Sequence, residues 1–359
     1  MSGSRENMRL DLAEHLTTLV KNRYNTAKAN GSLIFSHTEL TVVKASNVPY
    51  QLRYCPALSK KPEPQKEPPS DTAKPEKKFN PFEDPTPDLL IAELPRTNTR
   101  HRLVLNKYPV IPHHFILATK AFKEQSNPLE EDDLATAFAC LQAWAAPQLD
   151  GERRKLFAFF NSGEHSGASQ PHRHIQFLPI TDMVGEAGGQ GWRILADELK
   201  ATSEHSPASY DIGDPPFVYF RRELPERPTS DELHEIYRWL YDRAVSYVRS
   251  AEGGSASEAL NGAGTGAGAA EISYNLALTT SSMVICPRRR EGGMVRSTKA
   301  EEQEVGPINV NGTILGGTLM VKTEDEWDAL RRDESQLVGL LENIGYPSKS
   351  RHTSSTERL

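Results

Sequence analysis

Residues 161–178 read NSGEHSGASQPHRHIQFL, and this stretch decides the fold of the region around it. The residues from His172 onward predict a β-strand, and the apolar run before the stretch predicts another. Because side chains alternate between the two faces of a strand, His172, His174 and Gln176 should share one face. The intervening apolar side chains should then face the core. The pattern therefore places two imidazoles and an amide together on one side of an otherwise buried strand.

The loop before this strand is built from small and hydroxylic residues. Gly163, Gly167 and Ala168 allow the backbone to approach a ligand closely. Successive backbone N–H groups in such a loop can donate to phosphate oxygens. The side chains that can add to them are Ser166, Ser169 and Gln170. The chain has no Walker motif and no GxGxxG, so a phosphate cradle here would be of another type.

Three interpretations of this segment stay open on the residues alone. The first is a nucleotide site. The second is a metal site, because a His-x-His pair on a strand often binds metal, and His113, His114 and His165 could supply further ligands. The spacing of these three histidines does not demand that they contribute, and a metal site usually also needs a carboxylate behind its ligands. A merely solvated strand face is the third and weakest alternative.

Composition excludes several classes of protein. The chain has 359 residues, 37% of them hydrophobic, which is enough to bury a core. No apolar run reaches the length of a membrane span, and the N-terminal residues lack the apolar segment of a secretory signal. Cys55, Cys140 and Cys286 stand far apart, which fits a reducing compartment and provides no cysteine zinc site. We therefore expect a cytoplasmic protein without a membrane partner, with the nucleus as a second compartment.

The charge of the chain bears on its partners. A formal net charge of -6 argues against general binding of nucleic acid. A local cluster of donors can still bind an anionic small ligand, because a few nearby groups outweigh the global charge.

Strand pairs and helices alternate without regular βαβ spacing, which predicts an α+β fold. Helices are predicted over 131–145 and from Glu324 to about Asn343. Another should begin at Thr229-Ser-Asp-Glu232, which has the sequence of a capping box. Cys140 and Cys286 should belong to the core.

We predict two regions, 1–198 and 205–325, followed by a polar tail at 347–359. Residues 59–78 are rich in Pro, Lys and Glu and should form a mobile loop within the first region. The Gly- and Ala-rich residues 253–270 should form a flexible insert in the second.

The stretch around His174 resembles the histidine-triad superfamily of nucleotidyl hydrolases and transferases. This resemblance implies a histidine-triad-like α+β fold, with a mixed, mainly antiparallel sheet and flanking helices. In the transferase branch glutamine replaces the third histidine of His-x-His-x-His, and this chain has His172-Arg-His174-Ile-Gln176. The wider match is to the fungal type of diadenosine tetraphosphate phosphorylase, or ATP adenylyltransferase. The stretches that carry it are Asn80-Pro81-Phe82, LVLNKYPVIPHHFILATKAF, FFNSGEHSGASQPHRHIQFLPI, SYNLALTT with CPR, and INVNGTILGGTLMVK.

The resemblance implies a reaction. His174 would attack the α-phosphorus and expel ATP, and phosphate would then release the adenylyl group from the histidine as ADP. A neutral imidazole is nucleophilic at physiological pH, which agrees with this role. The backbone carbonyl of His172 would fix the tautomer of His174, and Gln176 would donate to non-bridging oxygens in the transition state.

The resemblance also implies the residues that bind substrate. Those nearest the α-phosphate and the nucleotide would be Asn161, Gly167, Ala168, Ser169, Gln170, Asn106 and Lys107. Lys61, or Lys60 on spacing, and Lys322 would contact the distal phosphates. A C-terminal substrate loop would comprise Asn311, Gly312, Thr313 and Thr318, although Asn-Gly is also an ordinary hairpin signal. Thr280-Ser281-Ser282 stands where family members carry basic residues and a tryptophan, so those contacts are not carried over.

The expected partners are a dinucleoside polyphosphate, ATP, ADP and phosphate. A divalent cation, Mg²⁺, should accompany the polyphosphate, but no side-chain cage for it is evident. No other cofactor and no bound metal are expected, and a monomer is the expected state. Three alternatives are a sugar-1-phosphate uridylyltransferase, a hydrolase of the same superfamily and a non-catalytic nucleotide- or metal-binding protein. Members of the first family often carry a cysteine-rich zinc site, which this chain cannot supply.

Overall fold

The computed structural model describes residues 10–60, 80–146, 154–185, 191–203, 214–253, 268–298 and 303–347. Within these ranges the helices are α1 Leu16–Ala29, α2 Glu131–Ala145, α3 Ile180–Val184, α4 Leu195–Glu198, α5 Ser230–Ala251, α6 Glu324–Arg332 and α7 Glu334–Ile344. The strands are β1 Glu39–Ala45, β2 Val48–Tyr54, β3 Leu90–Leu94, β4 His101–Leu105, β5 Phe115–Thr119, β6 Leu156–Ser162, β7 His174–Pro179, β8 Phe220–Glu223, β9 Tyr274–Leu278, β10 Ser282–Pro287, β11 Gly292–Arg296, β12 Glu304–Asn309 and β13 Thr318–Val321. Short 3-10 helices span Pro56–Lys60, Glu164–Ser166 and Gly312–Gly316.

The main sheet has eight strands in the order β3-β4-β5-β7-β6-β9-β10-β8. Every neighbouring pair in it is antiparallel. The two regions predicted from the sequence share this sheet, because β6 of the first pairs with β9 of the second. A smaller sheet, β1-β2-β13, likewise joins both ends of the chain, with β13 parallel to β2. The α+β architecture predicted from the sequence is confirmed.

The side chains of β7 distinguish the two faces of the main sheet. The front face carries His174 and Gln176, and the back face carries Ile175 and Phe177. Helices α1, α2 and α5 cover the back face with a continuous apolar cluster that includes Phe177. Each large apolar side chain fully buried in this way contributes about 1.5–3 kcal/mol.

The front face is covered in two separate parts. Over β6, β9 and β10 lie the small sheet and helices α6 and α7, in a second apolar cluster. Over β4 and β5 lies a small cluster formed by Phe82, Val104, Ile116 and Ala118. The polar side chains of β7 lie on the strand between those two halves of the sheet. The front face of β7 is therefore where polar groups can collect beside two apolar walls.

Several local predictions are confirmed. Residues 131–145 form α2, and Thr229 caps α5 with both hydrogen bonds of a capping box. Cys140 and Cys286 are fully buried. Among the described residues no helix is both long and apolar enough to cross a lipid bilayer.

Other local predictions are wrong. The single helix expected over 324–343 is two helices, because Asp333 is extended and its carboxylate accepts from the Ser335 N–H to cap α7. The strand expected from His172 begins at His174, since His172 makes only an isolated bridge with Glu124. The hairpin alternative for Asn311-Gly312 is not found either, because Asn311 caps the 3-10 helix that begins at Gly312.

Three predictions fall mostly outside the described residues. The loop predicted at 59–78 is described only to Lys60, so Lys61 lies outside. The insert predicted at 253–270 is described only at its two ends, and the tail only at residue 347.

Candidate active site

His174 opens β7 and is almost completely buried, with 2% of its surface exposed. Its Nδ1 lies 2.8 Å from the carbonyl oxygen of His172, so Nδ1 carries the proton and donates it. Nε2 is then the basic nitrogen, and it makes no hydrogen bond within the described part of the chain. Burial lowers the pKa of His174 to about 4, although the bond to the His172 carbonyl acts in the opposite direction. The ring is therefore a neutral imidazole with one available lone pair at neutral pH.

Both ring nitrogens of His172 make hydrogen bonds. Its Nε2–H donates to the carbonyl oxygen of Thr119 at 2.7 Å. Its Nδ1 accepts from the Asn80 side-chain amide at 2.9 Å, and the amide oxygen of Asn80 accepts from the Phe82 N–H, which fixes its orientation. Burial lowers the pKa of His172 as well. With both nitrogens engaged, this side chain is a structural anchor.

Phe82 packs against both imidazoles. Its ring centroid lies 5.0 Å from that of His174 and 5.7 Å from that of His172. The exposed Phe122 ring lies 5.3 Å from His172 on another side. The segment from Asn80 to Phe82 thus helps to form the apolar wall that buries His174.

Gln125 joins β6 and β7 where the two strands separate. Their ladder ends at the pair Phe159 and Gln176, so Asn161 and His174 are not paired by backbone. The buried amide of Gln125 accepts from the His174 N–H at 2.7 Å and donates to the Asn161 carbonyl at 2.7 Å. A side chain therefore takes the place of the next ladder bond and holds both residues.

Asn161 lies at that separation with its amide orientation fixed. Its Oδ1 accepts from Asn275 Nδ2 at 2.9 Å and from the Gly312 N–H at 2.8 Å. Its Nδ2 is buried and has no hydrogen-bond partner within the described residues. An unpaired buried donor costs about 1–3 kcal/mol, so such a group is suited to an acceptor on a ligand.

Arg288 supports Asn161 from behind. The residue is 3% exposed, and its guanidinium donates to Asn275 Oδ1. It also donates to four backbone carbonyls, those of Arg290, Glu291, Val310 and Ile344. Burial lowers the pKa of Arg288 to about 10, which leaves the group charged at neutral pH. This cation ties the C-terminal segments to Asn275 and, through it, to Asn161.

The glycine-rich loop closes against the C-terminal half. Gly167 has a φ of +76°, and a Cβ there would lie 2.7 Å from the Val310 carbonyl. A Cβ on Gly312 would lie 2.9 Å from Asn161 Oδ1. The glycine-rich loop and the C-terminal loop can therefore both approach Asn161, because Gly167 and Gly312 have no side chains. Ala168 and Ser169 are exposed at this junction, and Gln170 is partly exposed.

Gln176 extends along the front face beside His174. Its Oε1 accepts from His114 Nε2 at 3.1 Å, and Asn106 Nδ2 lies 3.0 Å from His114 Nδ1. Both polar atoms of the Asn106 side chain are engaged inside the protein, since its Oδ1 accepts from the Tyr108 N–H. The structure thus brings the predicted Asn106 to Gln176 through His114.

The remaining predicted residues are placed differently. Lys107 is exposed, with its Nζ 5.6 Å from the Tyr108 ring centroid. Thr313 is buried beside its cap Asn311. Lys322 follows β13 and is partly buried. Thr318 is fully buried, and its hydroxyl donates to Gln51 Oε1 at 3.3 Å, which argues against the predicted substrate contact.

The metal interpretation of the His-x-His pair finds no support in this geometry. Both nitrogens of His172 and one of His174 are already engaged. Among the described residues, no three His, Cys, Asp or Glu side chains are placed to hold a metal ion. His113, one of the candidate ligands, instead pairs with Asp182 at 2.8 Å.

Sequence reasoning assigned no role to four residues that build the site. Asn80, Asn275 and Arg288 lie in stretches that carried the resemblance, so their positions gave a signal but their contacts did not. Gln125 lies in a polar segment without periodicity, and nothing in the sequence marked it.

Comparison with known proteins finds relatives that match nearly the whole chain. Diadenosine 5',5'''-P1,P4-tetraphosphate phosphorylase 2 of Saccharomyces cerevisiae is 27% identical over 355 residues, which cover 94% of this chain and 96% of that protein. Protein APA1 of the same yeast is 26% identical over 357 residues, 95% of this chain and 97% of that protein. The crystal structure of yeast Ap4A phosphorylase Apa2 in complex with Ap4A shares the fold, with a TM-score of 0.67 at 24% identity over 94% of this chain and 99% of that one.

Family models match both halves of the chain. The model described as Ap4A phosphorylase N-terminal domain matches residues 6–187. The model described as ATP adenylyltransferase C-terminal domain matches residues 214–347. The first match alone covers half of the chain and includes His174, Gln176 and Asn161. The chain therefore belongs to the Ap4A phosphorylase and ATP adenylyltransferase family.

Proposed function

We propose that this protein splits diadenosine tetraphosphate with inorganic phosphate into ATP and ADP, and that His174 carries the adenylyl group between the two steps. Family membership supports the overall reaction. The observation that supports the covalent step is the state of His174, a neutral ring with Nδ1–H anchored and Nε2 unpartnered within the described residues.

The proposed reaction is a double displacement at one phosphorus atom. Nε2 of His174 attacks the α-phosphorus of one adenosine, and the bond from that phosphorus to the bridging oxygen of the β-phosphate breaks. ATP leaves with the electron pair of that bond. An oxygen of inorganic phosphate then attacks the same phosphorus, the P–N bond breaks, and ADP leaves. His174 returns to its neutral form with Nδ1–H still bonded to the His172 carbonyl.

Fixed hydrogen-bond donors would stabilise the negative charge on the adenylyl group during its transfer. The unpaired Nδ2 of Asn161 suits a non-bridging oxygen of the α-phosphate. Backbone N–H groups of the Gly167–Gln170 loop, in which Ala168 and Ser169 are exposed, can donate to neighbouring oxygens. The free amide hydrogens of Gln176 would strengthen their bonds as charge develops. The anchored donors require no reorganisation when the bond forms.

We expect Mg²⁺ to enter with the polyphosphate. Magnesium prefers phosphate and water oxygens to a dedicated protein cage. The absence of a cluster of metal-ligating side chains in the described ranges is compatible with that arrangement.

Product analysis with labelled phosphate tests the proposal. With Ap4A and ³²P-phosphate, the label should appear in ADP, and the ATP should be unlabelled. Formation of AMP and ATP at a rate independent of phosphate would identify a hydrolase and contradict the proposal. UDP-sugar with a sugar 1-phosphate, offered in parallel, should give no exchange; efficient exchange there would favour the uridylyltransferase alternative.

A further inference from the structure

Gln176 has an oriented partner. Its side chain lies on the front face of β7, in register with Ile116 of β5. Its Oε1 accepts a hydrogen bond from His114 Nε2 at 3.1 Å. Its Nε2 has no partner within the described residues. An amide can rotate by half a turn with little change in shape, so the orientation must be set by its hydrogen bonds.

The direction of the His114 bond is set one residue further back. Asn106 Oδ1 accepts from the Tyr108 backbone N–H at 2.9 Å, so the Asn106 amide must present Nδ2 to His114. His114 Nδ1 therefore accepts, and in the neutral ring the proton lies on Nε2. The donation runs in one direction, from a backbone N–H through Asn106 and His114 to Gln176.

The chain of bonds is held by the fold. Asn106 and His114 flank the turn between β4 and β5, and the Asn106 N–H donates to the His114 carbonyl at 3.0 Å. His114 is 7% exposed, and its ring centroid lies 6.4 Å from that of Phe159. A buried, bracketed imidazole of this kind has little freedom to change its donor direction.

We propose that His114 is a positioning residue that makes Gln176 present its NH₂ group, and not its oxygen, to the transferring phosphate. With the oxygen turned outward, Gln176 would repel the anionic phosphoryl oxygens. Asn106 acts in the same chain by holding the tautomer of His114. This inference rests on the proposed function, because it assigns Gln176 a phosphate as its ligand.

Two substitutions of His114 separate the two ring nitrogens. Glutamine places an NH₂ group near the position of Nε2, so His114→Gln can still donate to Gln176. Asparagine places its amide near Nδ1, so His114→Asn keeps the Asn106 contact and loses the Gln176 contact. We expect His114→Asn to lower kcat about 10- to 100-fold with KM changed less than threefold. His114→Gln should retain at least a third of the wild-type kcat.

A double-mutant cycle tests whether His114 acts through Gln176. Gln176→Ala should lower kcat roughly 10²–10³-fold, as the loss of one transition-state donor does. Adding His114→Asn to Gln176→Ala should then cost less than threefold more, because the residue it positions is gone. Independent, multiplicative losses would overturn the inference. So would equal losses in the Asn and Gln variants, or a rise in KM at constant kcat.

A measurement without turnover keeps this inference distinct from the proposed function. In the ¹⁵N NMR spectrum of the free protein, His114 should show a protonated Nε2 and a bare, hydrogen-bonded Nδ1. A proton on Nδ1 would overturn the inference even in an active enzyme. If the wild-type protein fails to convert Ap4A and phosphate into ATP and ADP, the proposed function fails, and the tautomer still decides the orientation of Gln176.

Discussion

The two faces of β7 differ in how their side chains are satisfied. On the back face, Phe177 is fully buried and stacks on Phe115 with ring centroids 4.8 Å apart. On the front face, His174 and Gln176 each have one polar atom bonded to the protein and one polar atom without a partner in the described residues. The back face therefore stabilises the fold, whereas the front face has hydrogen-bond donors and a lone pair that can contact a ligand.

Arg173, between the two histidines, belongs to the back face. Its guanidinium donates to Asp133 and Glu130 at 2.8 Å, at the start of α2. Burial acts to raise the pKa of Asp133, but the hydrogen bond from His101 and the charge of Arg173 hold that pKa below its usual value. Removing either partner would leave a buried charge unpaired, so this cluster anchors the strand that carries the site.

Replacing His174 should give the largest loss of activity and should distinguish the front face of β7 most clearly from the back face. His174→Asn retains a donor near Nδ1 for the His172 carbonyl but has no nucleophilic nitrogen. We expect both His174→Asn and His174→Ala to lower kcat by about 10⁴-fold or more, with nucleotide affinity changed less than about threefold. Steady-state rates and binding titrations measure this. His15→Ala, at an exposed histidine ahead of α1, is the matched control and should be unchanged. More than 1% activity in His174→Asn would count against the nucleophile.

Replacing Phe177 should show the reverse behaviour. Phe177→Ala opens a cavity in the back-face cluster and should lower the free energy of unfolding by about 3–5 kcal/mol. The fraction that stays folded should turn over within a few-fold of the wild-type rate. Ile175→Val, on the same face, should cost about 0.5–1.5 kcal/mol. Denaturant unfolding measures both. A loss of kcat without a loss of stability would contradict the assignment of this face.

His172 should behave as an anchor, with an effect between these two classes. His172→Ala leaves Asn80 and Thr119 without their ring partner and should cost about 1–3 kcal/mol of stability. The loss of kcat should be far smaller than at His174, because alanine keeps the carbonyl that His174 uses. Parallel unfolding and rate measurements on His172→Ala and His174→Ala decide this. Equal losses of activity in both would favour a shared metal site.

The smallest expected effect is on pH dependence. Since the pKa of His174 is lowered to about 4, its ring should stay neutral and active well below pH 6.5. The rate of ATP release in the absence of phosphate should therefore change less than about twofold between pH 7.5 and 5.5. An ordinary histidine would lose about tenfold over that range. A loss of this rate as the pH falls through 6.5 would contradict a buried, neutral His174 as the proposed nucleophile.

The same lowered pKa makes stability depend on pH in a defined direction. The unfolded chain binds a proton at His174 near pH 6.5, and the folded chain only near pH 4. The contribution of this group to stability should therefore fall as the pH falls from about 6.5 to about 4. His174→Asn should remove that part of the pH dependence.

Sequence periodicity predicted β7, α2 and the capping box of α5 because each depends on residues close together in the chain. His172, His174 and Gln176 were likewise predicted to act together, since three residues on one strand determine their own geometry. The spacing did not show that His172 is a structural anchor whereas His174 keeps Nε2 without a partner in the described residues. That difference depends on Asn80 and Thr119, which fill the ring of His172 from distant segments.

The contacts that the sequence could not predict are side-chain bonds over long separations. Gln125 reaches His174 and Asn161, and Arg288 reaches Ile344. Such bonds depend on where the strands separate and on which carbonyls remain unpaired in the fold. A sequence pattern records neither. Thr318 illustrates the converse, because a residue in a matching stretch is fully buried and its hydroxyl is bonded to Gln51.

The central claim is that His174 is adenylylated during turnover. Wild-type protein mixed with Ap4A without phosphate, and quenched in alkali, should carry one adenylyl group on the peptide that contains His174. ATP should appear in an equal amount, and added phosphate should discharge the group as ADP. His174→Asn should carry none. Turnover with no such adduct in rapid-quench samples, or an adduct on another residue, would contradict the account.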